Sequence, residues 1–188
     1  RVLGMLPRVC TQWRGLCRLM NNVVVIPRCP GLLSDPMLGK MAMAWPRLDK
    51  VDLGGCSQIT DAGVCLLATH CPLVTSLGVG MSYTAYLPMF PGLYTPSRAV
   101  MSISPAGMTL CGLMDITRHM KRMTSIDLTG NVNVSNGWIG IMATAWPQLR
   151  RLVLHSNAIT DEGVEIMGKH FPALETCVLP FCAMVSSS

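Results

Sequence analysis

The chain has 188 residues, 50% of them apolar and 13% charged, with a net charge of +5; an average soluble domain is about 25% charged. That length fits one globular domain or one short solenoid. Arg, Lys, Asp or Pro interrupts every long apolar stretch before the roughly 18 residues of a membrane helix, which excludes a spanning helix, and so thin a polar coat predicts that a partner covers part of the surface.

The nine cysteines are odd in number and spread through apolar stretches, unlike a disulfide framework. They predict a reducing, intracellular compartment, cytoplasmic ahead of mitochondrial, with the thiols as small core residues. Five arginines (Arg1, Arg8, Arg14, Arg18, Arg28) precede the first acidic residue, Asp35. An acid-free start of this kind suits a solvated helix face, an acidic partner or a mitochondrial targeting remnant. The chain opens on Arg1, and a further N-terminal part ahead of it is expected.

Residues 1–22 are expected to form one helical unit. Leu3, Leu6, Cys10, Trp13, Leu16, Cys17 and Met20 fall at the spacing of an amphipathic helix. The order Val9-Cys10-x-x-Trp13-x-x-Leu16 resembles the last helix of an F-box. That resemblance covers only about half of the module. Two roles stay open for Val9, Cys10, Trp13 and Leu16: binding a Skp-type adaptor, as the resemblance implies, or capping the first unit of a solenoid.

From residue 23 onward the chain repeats itself. The β-branched run Val23 to Ile26 and Ser34-Asp35 begin a degraded copy. A clear copy runs from Trp45-Pro46 through Leu48, Val51, Leu53 and Cys56 to Ile59-Thr-Asp-Ala-Gly63-Val64. Cys71-Pro72 starts another with Val74, Leu77 and Val79. Met123, Ile126, Leu128 and Asn131 mark the next. Trp146-Pro147 leads through Leu149, Leu152, Leu154 and Asn157 to Ile159-Thr-Asp-Glu-Gly163-Val164. Phe171-Pro172 opens the last, with Leu174, Cys177, Leu179 and Cys182. Positions 48, 74, 123, 149 and 174 lie 26, 49, 26 and 25 residues apart, so one interval is nearly double.

Each repeated residue type has a physical use. Alternate residues of a strand face one way, so Val51 and Leu53 point to a core. Cys56, Asn131 and Asn157 follow the strand, where a small thiol or a backbone-bonding amide suits an inward turn. Thr60-Asp61 and Thr160-Asp161 are N-cap candidates for an outer helix. Leu66, Leu67, Ile166 and Met167 supply its buried stripe. Pro46, Pro72, Pro147 and Pro172 then stop the helix.

The frame resembles the cysteine-containing class of leucine-rich repeats over nearly the whole chain. The resemblance implies an α/β solenoid, a curved parallel sheet inside and helices outside, with about five to six repeats over residues 23–188. One insertion is expected at 82–102. After it, Ile103-Ser-Pro-Ala-Gly107-Met108 reads as the resumption of the Ile59–Val64 element at an offset of 44 residues. The insertion holds Tyr83, Tyr86, Phe90 and Tyr94, aromatic side chains suited to a partner contact or to folding back on the solenoid.

Catalysis is not expected. His70, His119 and His170 recur at one repeat position near helix ends, which reads as structural. His155 alone is placed like a contact on the inner face. No Cys-x-x-Cys pair, phosphate loop or acid–base carboxylate pair is present, so neither a metal nor another cofactor is predicted. The outward strand positions form three rows. The first is Lys50, Ser76, Ser125, Arg151 and Thr176. The second is Asp52, Gly78, Asp127, Val153 and Val178. The third is Gly54, Gly80, Thr129, His155 and Pro180. These rows are mixed and nearly neutral, which suits a protein partner; a nucleic-acid site would want a basic stripe with stacking aromatics. The expected function is a non-catalytic protein-interaction module, resembling the substrate-binding repeats of an F-box-type ubiquitin ligase receptor. The alternative is a structural subunit of a large mitochondrial or cytoskeletal assembly, held by neighbouring subunits.

Overall fold

A computed structural model describes residues 23–25, 33–54, 56, 58–79, 108–154 and 158–179. Strands and helices alternate through these residues: β1 (Val23–Val25), α1 (Asp35–Ala44), β2 (Lys50–Asp52), α2 (Asp61–His70), β3 (Ser76–Gly78), α3 (Leu110–His119), β4 (Ser125–Leu128), α4 (Asn136–Ala145), β5 (Arg151–Leu154), α5 (Asp161–His170) and β6 (Thr176–Val178). The six strands form one parallel sheet whose spatial order is the chain order. Each helix packs on the next in the same order. The architecture is therefore α/β, a sheet with its helices in one adjoining layer.

The apolar rows explain the packing. Val51, Leu77, Ile126 and Leu152 are register partners across β2 to β5, and all four are buried. With Leu67, Leu113, Ile116, Ile139 and Met142 from the helices they form one core. Cys177 holds the same register position on β6 but is exposed at the end of the array. A strand–helix unit cannot bury its own apolar side; the neighbouring unit buries it.

Helix ends are fixed by the repeated residues. Ser34, Thr60, Thr109, Ser135 and Thr160 are the N-caps. The C-caps are Trp45, Cys71, Met120, Trp146 and Phe171, each donating its N–H to the carbonyl four residues back. Pro46, Pro72, Pro147 and Pro172 follow immediately, where the chain leaves the helix. Side chains at this C-cap position reach the preceding unit: Trp146 Nε1 donates to Met120 O at 2.7 Å and Cys71 Sγ to Trp45 O at 3.4 Å. They satisfy carbonyls that a helix end leaves without partners. The inward turn after β4 passes through Gly130 at φ 80°, and buried Asn131 donates Nδ2–H to Met108 O at 2.9 Å.

The element after the insertion starts later than the sequence frame suggests. The counterpart of Ile59-Thr60 is Met108-Thr109, not Ile103-Ser104. Met108 is buried like Ile59, and Thr109 caps α3 as Thr60 caps α2. The strand spacing agrees: Thr124 bonds Thr75 across 49 residues where Thr75 bonds Asp49 across 26. The insertion boundaries 82–102 themselves lie outside the described residues, as does the N-terminal unit 1–22.

A second relation between units was not anticipated. Asp35 accepts the backbone N–H of Thr60 at 2.9 Å and its hydroxyl at 2.5 Å. Asp61 does the same for Thr109, and Asn136 bonds both groups of Thr160. The first residue of one helix thus holds the N-cap of the next. The third residue of each receiving helix is glycine: Gly63, Gly112 and Gly163. The α3 to α4 step differs at all three places, with Leu110 as first residue, Ser135 as N-cap and Trp138 as third residue.

Candidate interaction face

Strand alternation sends Lys50, Asp52 and their row partners away from the core, onto the sheet face opposite the helices. The structure brings the first row together in register: Lys50, Ser76, Ser125, Arg151 and Thr176. Lys50 is exposed and the other four are half-buried. The second row, Asp52, Gly78, Asp127, Val153 and Val178, is likewise aligned.

Two members of these rows are interior, not surface. Val153 is 1% exposed although it stands outside the main apolar core, and Thr129 is 4% exposed. An apolar side chain among carboxylates and hydroxyls gains by being shielded. Thr129 is the costlier case, because its Oγ1 is buried without a hydrogen-bond partner. His155 lies outside the described residues, as do Gly80 and Pro180 of the third row, Tyr83, Tyr86, Phe90 and Tyr94 of the insertion, and Val9, Cys10, Trp13 and Leu16 of the N-terminal unit.

Asp52 and Asp127 dominate the middle of this face. Each folds its carboxylate back on the chain leaving its strand: Asp52 Oδ1 accepts Gly54 N–H at 2.8 Å, and Asp127 Oδ1 accepts Thr129 N–H at 2.9 Å. Gly78 lies between them in register, and a Cβ there would sit 2.9 Å from Asp52 Oδ1. Asp52 therefore leans across β3. Partial burial raises its carboxyl above the ordinary range; the Gly54 N–H opposes that shift and the charge of Asp127 adds to it. The ion pairs among the described residues lie elsewhere, Arg150 with Glu175 and Lys169 with Glu165, both solvent-exposed. Exposed pairs of this kind contribute little.

A protein-family scan matches no family to this chain. The Antagonist of mitotic exit network protein 1 of Eremothecium gossypii is 30% identical over 84 residues, which are 45% of this chain and 21% of that protein. The chain thus spans about a fifth of the curated relative it matches. Among solved structures, one chain of the crystal structure of the Rad7 and Elc1 complex in yeast matches 82% of this chain and 48% of its own length, at 15% identity and a TM-score of 0.35.

Other chemistry-bearing residues are dispersed. His70, His119 and His170 end α2, α3 and α5. Among the described residues no three His, Cys, Asp or Glu side chains gather as metal ligands, and no helix is long and apolar enough to cross a membrane. The Asp52–Gly78–Asp127 grouping was legible as a row, but not as one feature. Its signal was a glycine at a register position flanked by the same acid on both sides.

Proposed function

We propose that this chain is a leucine-rich-repeat interaction module whose open sheet face holds another protein without catalysing a reaction or binding a cofactor. The observation that carries this reading is the register-locked first row, Lys50, Ser76, Ser125, Arg151 and Thr176, polar side chains aligned across five parallel strands and none of them buried. Fixed side chains cost little ordering on binding, which favours recognition. A curated relative named as an antagonist of a network fits a role exercised through contacts. The finer reading, a substrate receptor of an F-box-type ligase, rests on the repeat frame together with Val9, Cys10, Trp13 and Leu16. It places the full-length protein with a Skp-type adaptor in the cytoplasm.

One observation favours the structural-subunit reading. Leu110 and Met114 on α3 are each 47% exposed, one turn apart on the helix layer. A neighbouring subunit would cover them. Photo-cross-linking separates the two. A cross-linkable residue replacing Ser125 on the sheet face captures a partner protein under the first reading, and one replacing Met114 captures it under the second. Capture from neither position rejects both, and co-purification of the full-length protein with a Skp-type adaptor tests the finer reading.

A further inference from the structure

We infer that the end of the array formed by β6 and α5 is a self-association surface. It receives a second copy of this chain, turned about a two-fold axis that passes through Cys177 perpendicular to the sheet. Positions that are closed in the preceding units stand open at this end. Val164 is 37% exposed, while its counterparts Leu38, Val64, Leu113 and Ile139 are buried. Cys177 is exposed and Leu174 half-buried, although the same strand positions of β2 to β5 are buried. Gly168 is exposed as well, with nothing within 4 Å of a built Cβ. In the interior of the array the next strand and helix close these positions, so the surface is shaped for a strand and a helix.

Backbone and charge together select a second copy as the occupant. Among the described residues β6 has a neighbouring strand on one side only, β5. Thr176 turns its N–H to Arg150 O on that side at 2.9 Å, so alternation points the N–H and C=O of Cys177 outward. A strand edge of this kind is a template for another strand. Under the two-fold axis Cys177 meets its own copy, and the two residues exchange both N–H···O=C bonds of an antiparallel ladder. Glu165 and Lys169 pair at 2.5 Å along α5, and both side chains are mostly exposed. Met167 lies midway between them in sequence, and its Sδ stands 3.7 Å from Cys177 Sγ, which puts the axis level with the middle of that pair. The turned copy therefore sets its own lysine opposite Glu165 and its own glutamate opposite Lys169. A surface that complements itself is what a two-fold dimer requires, and bare Gly168 lets the two helices approach closely.

This end is distinct from the sheet face of the proposed interaction module, so either can fail alone. Sedimentation equilibrium of the full chain is expected to give twice the mass of one chain. V164E should return the monomer. V132E, which charges an apolar residue 70% exposed elsewhere, should leave the dimer intact; circular dichroism verifies the fold of each variant. E165K and K169E reverse opposite charges beside the axis. Each alone should weaken self-association about tenfold, because like charges then face each other. Mixed together, the two variants should pair with one another about as tightly as the wild type does with itself, since an all-lysine end meets an all-glutamate end. A wild-type chain that stays monomeric at every concentration overturns the inference. So does one that dimerises only after residues 180–188 are removed, which would make that segment the cover. A dimer indifferent to V164E, or E165K and K169E chains that fail to pair when mixed, would place self-association on another surface and overturn it too.

Discussion

Asp61 Oδ1 occupies the space into which a side chain at Gly112 would project. The two residues belong to successive helices, and neither identity makes sense alone. The acid bonds Thr109 at the start of α3, and the glycine three residues later lets the carboxylate come close enough to do so. A Cβ at 112 would also meet the Met108 side chain.

Gly112→Ala should therefore lower unfolding stability by about 1–3 kcal/mol through overpacking. Gly140, in the interior of α4, has nothing within 4 Å of a built Cβ. There the same substitution should raise stability by about 0.5–1 kcal/mol, because alanine restricts the unfolded chain and favours helix. Urea denaturation of the two variants should give shifts of opposite sign. Shifts of the same sign would defeat the steric argument.

Asp35 and Asn136 hold their partners with different chemistry, one a carboxylate and the other an amide. An amide at position 35 should consequently still serve Thr60. Asp35→Ala should cost about 1–3 kcal/mol, the loss expected when hydrogen-bonded groups lose their acceptor. Asp35→Asn should keep most of that stability. Equal losses in thermal melts would show that charge, not hydrogen bonding, makes the link.

Thiol reactivity should follow burial. Desolvation pushes the Cys71 thiol up to about 11, and its Sγ is enclosed beside the carbonyls of Ala42 and Trp45. Cys111 is exposed on α3. Since the thiolate is the nucleophile, iodoacetamide at neutral pH should label Cys111 early and Cys71 only after unfolding. Peptide mapping by mass spectrometry reads the order, and early labelling of Cys71 in the folded protein contradicts the packing.

Asp52 gives a pH signature with a definite sign. Its carboxyl is raised above 3.8 in the folded state, chiefly by burial. The folded protein therefore binds this proton more tightly than the unfolded chain does. The resulting contribution to stability is fully present below 3.8 and is lost as pH rises through the folded value. Asp52→Asn, which preserves an acceptor for Gly54 N–H, should melt higher than the wild type at pH 7. The gap should shrink as pH falls toward 4. A gap independent of pH would assign the effect to packing.

Much of the fold was legible because each unit must bury its leucine-type residues against the next, which writes the same spacing again and again. Val51, Leu77, Ile126 and Leu152 could be aligned on that basis, and so could the outward rows beside them. The start of α3 was misplaced for an equally physical reason. Ile103-Ser-Pro-Ala-Gly107 imitates Ile59-Thr-Asp-Ala-Gly63 locally, but the deciding glycine is the one that faces Asp61, a contact between units that no local pattern displays. Asp61 itself read as a cap for its own helix, yet its carboxylate serves the following one. The shielding of Val153 and Thr129 was equally hidden, since position in a strand sets the face and not what lies over it.

Leu110 offers Ser135 no acceptor, and Trp138 leaves no glycine gap, so the stack carries a seam between α3 and α4 that the other joints lack. Force or denaturant applied along the array should part it there first. The halves on either side, each still stitched by its own acid-to-threonine links, would separate as two smaller cooperative bodies.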